Sequence, residues 1–164
     1  MSDGEHGHDT KLYATVVTNP SSFTAIGNVI SISGPSQTRD AIEISTMDST
    51  SKFREFLPGM LDAGEITFDV NYDGSAGGNA AILGGTNATT GLLKSNNTSL
   101  TYYLVFNDSP LTHTTVVTNL AYHSHWFCKG LMTALGHAIP FDDKITQSVT
   151  IKLTGLPTFV DVPA

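Results

Sequence analysis

The sequence predicts a mainly β fold: a sandwich or barrel of short strands with one flanking α-helix and one long inter-strand loop. Three observations carry that prediction. Val, Ile, Leu, Phe and Thr are plentiful while Glu, Lys, Gln and Arg are scarce, and branched side chains pack well on a pleated surface. Several segments alternate apolar and polar residues with a period of two, the mark of a half-buried strand. Turn residues separate these segments at short intervals. The 164 residues fit one domain, since domains commonly run ~100–200 residues.

In chain order, residues 1–11 are charged, contain glycine and lack apolar periodicity, so they are expected to form a flexible arm. Their polar, acidic character is unlike a signal peptide. Residues 12–23 hold a Val16-Val17 pair and an Asn19-Pro20-Ser21-Ser22 cluster and read as a longer arm or loop. Ile26, Ile30 and Ile32 share one parity in a strand over 26–33, and Gly34-Pro35-Ser36 turns it. In 40–46, Ile42 and Ile44 alternate with Ala41, Glu43 and Ser45. Residues 65–72 give the cleanest strand, with Ile66, Phe68, Val70 and Tyr72 opposite Glu65, Thr67, Asp69 and Asn71. Asp73-Gly74 closes it.

Residues 79–95 are the helix candidate. Ala80, Ala81, Leu83, Leu92 and Leu93 support it, while Gly84, Gly85 and Gly91 each oppose it by ~1 kcal/mol. Further strands are expected at 99–106, 112–118, 121–129 and 130–134, with a kink at Gly130. A last strand spans 146–154, with Val149, Ile151 and Leu153 inward, after a turn at Asp142-Asp143. The main domain is expected over 12–157, and 158–164 as a short C-terminal arm.

The chemistry-bearing residues do not assemble into an active site. The net charge is −7, and no basic patch is present to neutralise phosphates. Glu65 and Asp69 share a strand face but lie roughly 13 Å apart at ~3.3 Å per residue, too far for a glycosidase pair at about 5–9.5 Å. His123 and His125 share a parity that Cys128 lacks, and neither CxxC nor HExxH occurs. No GxSxG, GxxxxGK[ST] or GxGxxG is present. Cys128 lies in an apolar strand as a small core residue. A single cysteine forms no internal disulfide, which fits a cytosolic origin. No apolar run reaches the ~18–20 residues of a membrane helix. No catalytic residue, metal or cofactor is expected.

One segment is unexplained by a self-contained domain. Residues 45–63 carry Met47, Phe53, Phe56, Leu57, Met60 and Leu61 among Asp48, Lys52, Arg54 and Glu55, around a Pro58-Gly59 break. This reads as a long loop, with a short amphipathic helix as the alternative.

The segment resembles the tail tube proteins of lambda-like, long flexible-tailed bacteriophages. The likeness rests on Thr46-Met47-Asp48, then Arg54-Glu55-Phe56, then Leu57 through Glu65 running into a strand. The chain from Trp126 to Gly155 resembles the family's closing strands, and Thr154-Gly155-Leu156-Pro157 its ending. Roughly residues 26–157 take part.

The resemblance implies a structural virion protein: sixfold rings stacked into a hollow tube that conducts DNA without binding it specifically. Expected partners are other copies of the chain and the tape measure, tail tip and tail terminator proteins. Membranes are not among them. Assembly is expected in the host bacterial cytoplasm. The family's long loop joins subunits and rings, which assigns Met47, Asp48, Phe53, Arg54, Glu55, Phe56, Leu57, Met60 and Leu61 to contacts between copies. Glu43, Glu65 and Asp69 are candidates for an acidic lumen wall that repels phosphates within ~8–10 Å. No appended immunoglobulin-like domain is expected. A gene transfer agent or another phage-derived particle would use the same protein. A carbohydrate-binding sandwich is the alternative of another class, and it would expose aromatics on one sheet face.

Overall fold

In the computed structural model, the described residues are 10–16, 19–47, 53–75, 78, 82–84, 92, 99–106 and 123–161. They form nine strands: β1 (Lys11–Val16), β2 (Asn19–Ile26), β3 (Val29–Ser33), β4 (Thr38–Glu43), β5 (Phe56–Asp62), β6 (Glu65–Asn71), β7 (Leu100–Val105), β8 (His125–Ala138) and β9 (Thr146–Val160). Seven make one antiparallel sheet in the order β2-β1-β7-β8-β9-β6-β3, and β4 pairs only with β5.

The core follows from the alternation. Ile66, Phe68 and Val70 of β6 are buried, as are Val149, Ile151 and Leu153 of β9. The pleat sends these residues to one side, and the register aligns Ile66 with Ile151 and Met132, and Phe68 with Val149 and Leu135. One apolar cluster joins them to Leu12, Ala14 and Ile26 from the far side of the sheet. Burial of each such large side chain is worth about 1.5–3 kcal/mol.

Several expectations change. Residues 12–16 and 19–23 are strand, not arm or loop: Leu12, Tyr13, Ala14 and Thr15 are all buried, between β2 and β7. A central strand covered on both sides shows no alternation. Residues 26–33 are interrupted at Gly27-Asn28, where Asn28 has φ 56°, a left-handed turn that Asn tolerates better than most residues. A bulge between Val29 and Ser31 then leaves Ile30 exposed.

The last strand continues past 154. Thr158, Phe159 and Val160, expected in the C-terminal arm, lie opposite Phe127, Trp126 and His125. Likewise Lys11, placed in the N-terminal arm, begins β1. β8 is continuous through Gly130, with register shifts at Phe127/Lys129 and Met132/Ala134 rather than a kink there. Of the 79–95 helix, Ile82 and Leu83 lie in a helical turn, and Ile82 N–H donates to the Gly78 carbonyl at 3.2 Å. Leu83 and Leu92 reach the core. Apart from Gly84, in a turn, the rest of that segment and the 112–118 strand lie outside the described residues.

Candidate assembly surface

β4 and β5 form a ribbon that leaves the sheet between β3 and β6. Its sequence makes it apolar on both sides. Ile42 faces Leu57, and Ile44 continues that side; Ala41 with Pro58, and Glu43 with Phe56, occupy the other. Beyond a bulge, Leu61 lies opposite Arg39. The core of the same subunit covers neither face. Phe56 and Leu57 are each 52% exposed, Met60 is 87% exposed, and Ile42 and Leu61 are more than half exposed. Met47 and Phe53, nearer the tip, are almost wholly in solvent. Asp48 and Lys52 lie outside the described residues.

The segment expected as a loop over 45–63 is therefore strand from Phe56 to Asp62. Pro58 does not prevent this, because a ribbon of two strands consists only of edges and an edge position tolerates proline. Polar links hold the two strands near the tip. Ile44 N–H donates to the Glu55 carbonyl at 2.9 Å, and Glu55 N–H to Ser45 Oγ at 2.9 Å. Arg54 Nη1 approaches Glu43 Oε2 at 3.5 Å, a solvent-exposed pair that adds little.

The base of the ribbon is fixed more firmly. The chain enters through Gly34-Pro35-Ser36 and returns through Gly64-Glu65, and the two passes cross in close contact. Ser36 N–H and Oγ both donate to the Glu65 carbonyl at 3.4 Å. A Cβ on Gly34 would stand 2.5 Å from that carbonyl oxygen, and one on Gly64 would overlap the Ser36 carbonyl oxygen. Both glycines have positive φ, 109° and 76°.

Lys152 Nζ donates to both carboxylate oxygens of Asp62, at 3.1 and 3.0 Å, and Gly64 N–H donates to Asp62 Oδ1 at 2.8 Å. The Gly64 amide first, and then Lys152, hold the Asp62 carboxyl below the usual carboxylate range. A depressed carboxyl stabilises the fold above its unfolded pKa of ~3.9 and ceases to do so as pH falls through the lowered folded value. Asp62→Asn should therefore lower the urea midpoint at neutral pH and converge on the parent in strong acid. Equal midpoints at pH 7 would remove Asp62 from the account of the base.

Glu65 and Asp69 share the outward face of β6, and Glu43 stands apart from them on the ribbon. That outward face is mostly hydroxyl. Register aligns Ser33, Thr67 and Thr150, and then Ser31, Asp69 and Ser148. Ser31 Oγ donates to Asp69 Oδ2 at 3.0 Å, and Glu65 faces Lys152 across the strand pair.

A second apolar projection was not singled out in the sequence. The turn between β8 and β9 carries Ile139 and Phe141, the latter 101% exposed. The signal was present as Ile139-Pro140-Phe141-Asp142-Asp143, large apolar groups at a turn where polar residues are the rule.

Among the described residues no group of three or more His, Cys, Asp or Glu could hold a metal ion. His125 Nδ1 lies 2.8 Å from the His123 carbonyl oxygen. Cys128 is buried, which pushes its thiol up to about 11. No helix among the described residues is long and apolar enough to cross a membrane.

Solved structures with this architecture belong to tails and injection devices. The tail of an empty gene transfer agent particle, refined with C6 symmetry, is 12% identical at a TM-score of 0.64, with 96% of this chain and 100% of that one covered. The SPP1 tail tube is 11% identical at a TM-score of 0.61, with 95% and 78% covered. A chain of the sixfold-symmetrised anti-feeding prophage baseplate is 9% identical at a TM-score of 0.67, with 100% of each covered. Curated protein sequences give no match. The family described as phage tail tube, lambda-like, matches residues 5–161. That span takes in every strand of the sheet and the whole ribbon, so the chain belongs to the lambda-like family of phage tail tube proteins, and its role is structural.

Proposed function

We propose that the chain assembles as hexameric rings that stack into the hollow tail tube through which DNA passes. The observation that carries this is the ribbon: apolar on both faces, fixed at its base and, among the described residues, outside the core cluster of its own subunit. An isolated two-stranded ribbon is marginal in water. Burial against neighbouring copies supplies the missing apolar contact. Arg54 and Glu55 then set register more than affinity. The other partners are the tape measure, tail tip and tail terminator proteins, in a particle assembled in the host cytoplasm. The particle is a phage or a gene transfer agent, since the fold resembles tube proteins of both to a similar degree. The chain is not an enzyme in this reading. A carbohydrate-binding role has less support: Trp126, the one tryptophan, packs at a tilt against Phe159 with ring centroids 5.2 Å apart instead of lying open on a sheet face.

Negative-stain electron microscopy of the purified protein, fresh and concentrated, tests the proposal. Hollow tubes or sixfold rings are the expected result; a persistent monomer at high concentration would overturn self-assembly.

In the same reading the outward face of β6 and β9 lines the lumen. The hydroxyl rows carry no cation, Lys152 beyond them is held by Asp62, and Glu65 and Asp69 add repulsion. Glu65→Lys with Asp69→Lys should leave tubes intact and slow DNA ejection. Ejection at the parental rate would remove these two residues from the lumen.

A further inference from the structure

We infer that the β8–β9 turn of one copy docks on the β4–β5 ribbon of the next, head to tail. The inference rests on the tube reading and adds to it the surface that the ribbon meets.

Placement is the first argument. β6 begins beside the base of the ribbon, where Gly64 accepts Leu153 N–H at 3.0 Å and Lys152 holds Asp62. It ends beside the turn, where Asn71 lies opposite Thr146 and Tyr72 N–H donates to the Ile145 carbonyl at 2.9 Å. The ribbon and the turn therefore leave the sheet at opposite ends of β6, roughly 20 Å apart at ~3.3 Å per residue. One apolar projection at each end is what head-to-tail repetition requires.

Symmetry is the second. A ribbon face that met the same face of another ribbon would make a self-complementary contact, which closes a dimer and stops. An open stack needs two different patches on one chain. Among the described residues the turn offers the better second patch, because Phe159 of the Leu156–Val160 region already packs on Trp126 and Phe106, with centroids 5.2 and 6.3 Å away.

Charge is the third. Ile139 and Phe141 are followed by the exposed carboxylates Asp142 and Asp143. The ribbon presents Arg39 beside Leu61, with no ion pair among the described residues, and Arg54 in a long, exposed one. Asp40, Glu43, Glu55 and Asp62 leave the ribbon's net charge negative, so the complementarity with Asp142 and Asp143 is local to Arg39 and Arg54.

Cysteine cross-linking tests the contact directly. Cys128 is buried with a raised thiol pKa, so it stays silent. Tubes of a Leu57→Cys, Phe141→Cys variant would be assembled under reductant, checked by microscopy, oxidised with oxidised glutathione and run on a non-reducing gel. A disulfide forms only when the two Cα atoms come within about 7 Å. The expected result is a ladder extending beyond dimers, absent from either single variant. Intact tubes without a ladder would overturn the inference and leave the tube reading standing. Dimers from Leu57→Cys alone would show ribbon meeting ribbon and overturn it too. A parent that never forms tubes removes the tube reading and this inference with it. Should the double variant alone fail to assemble, Ile42→Cys with Ile139→Cys carries the same test.

Discussion

Phe56→Ala combined with Leu57→Ala leaves the free subunit as stable as the parent and removes its tubes at concentrations where the parent forms them. Both side chains are about half exposed and lie on opposite faces of a ribbon that does not touch the core. Surface substitutions of that kind shift stability by about 0.5 kcal/mol or less. In a tube the exposed half of each becomes buried, for about 2–3 kcal/mol per subunit together. That raises the concentration needed for assembly by roughly 30–150-fold. Urea unfolding and electron microscopy on the same preparation separate the two effects. Tubes from the variant would discard the ribbon as the contact while keeping the family role. A large loss of monomer stability would mean that the ribbon packs on its own subunit.

Gly64→Ala acts on the opposite end of the ribbon and has the larger effect on folding. The residue has φ 76°, and an added Cβ overlaps the Ser36 carbonyl oxygen. The left-handed backbone costs about 1–2 kcal/mol for a residue with a Cβ, and displacing the crossing strand about 1–3 kcal/mol more. A small domain is stable by only ~5–15 kcal/mol, so the substitution removes a substantial share. Gly155 provides the control. It has the same φ of 76° with nothing within 4 Å of its Cβ position, so Gly155→Ala carries only the conformational part. Equal urea midpoints for the two variants would show that the close crossing at Ser36 is unimportant.

The sequence shows β6 and β9 plainly because each has one face in the core and one in solvent. Ile66, Phe68 and Val70 could be assigned inward from parity alone, and so could Val149, Ile151 and Leu153. β1 left no such trace, since Leu12 through Thr15 are buried on both faces. β5 was hidden for another reason: Pro58-Gly59 looks like a break, and only an edge-only ribbon makes it strand. Ile42 and Ile44 show the limit of periodicity. Their alternation marks a strand correctly, yet the apolar side meets no core of its own. Family resemblance singled out the ribbon residues, but it could not separate Glu43 from Glu65 and Asp69, because that depends on which sheet each strand joins. The turn at Ile139 and Phe141 was legible only as an oddity of composition.

The ribbon's mode of attachment also bears on when subunits join. A contact surface that is marginal in isolation must become ordered at the moment of incorporation, and ordering a residue's backbone costs about 1–2 kcal/mol. A subunit arriving at an existing end meets a partner surface already in place. Two free subunits must order both surfaces at once. Growth is thereby favoured over nucleation, and tubes of the concentrated protein appear after a lag that added preformed ends shorten.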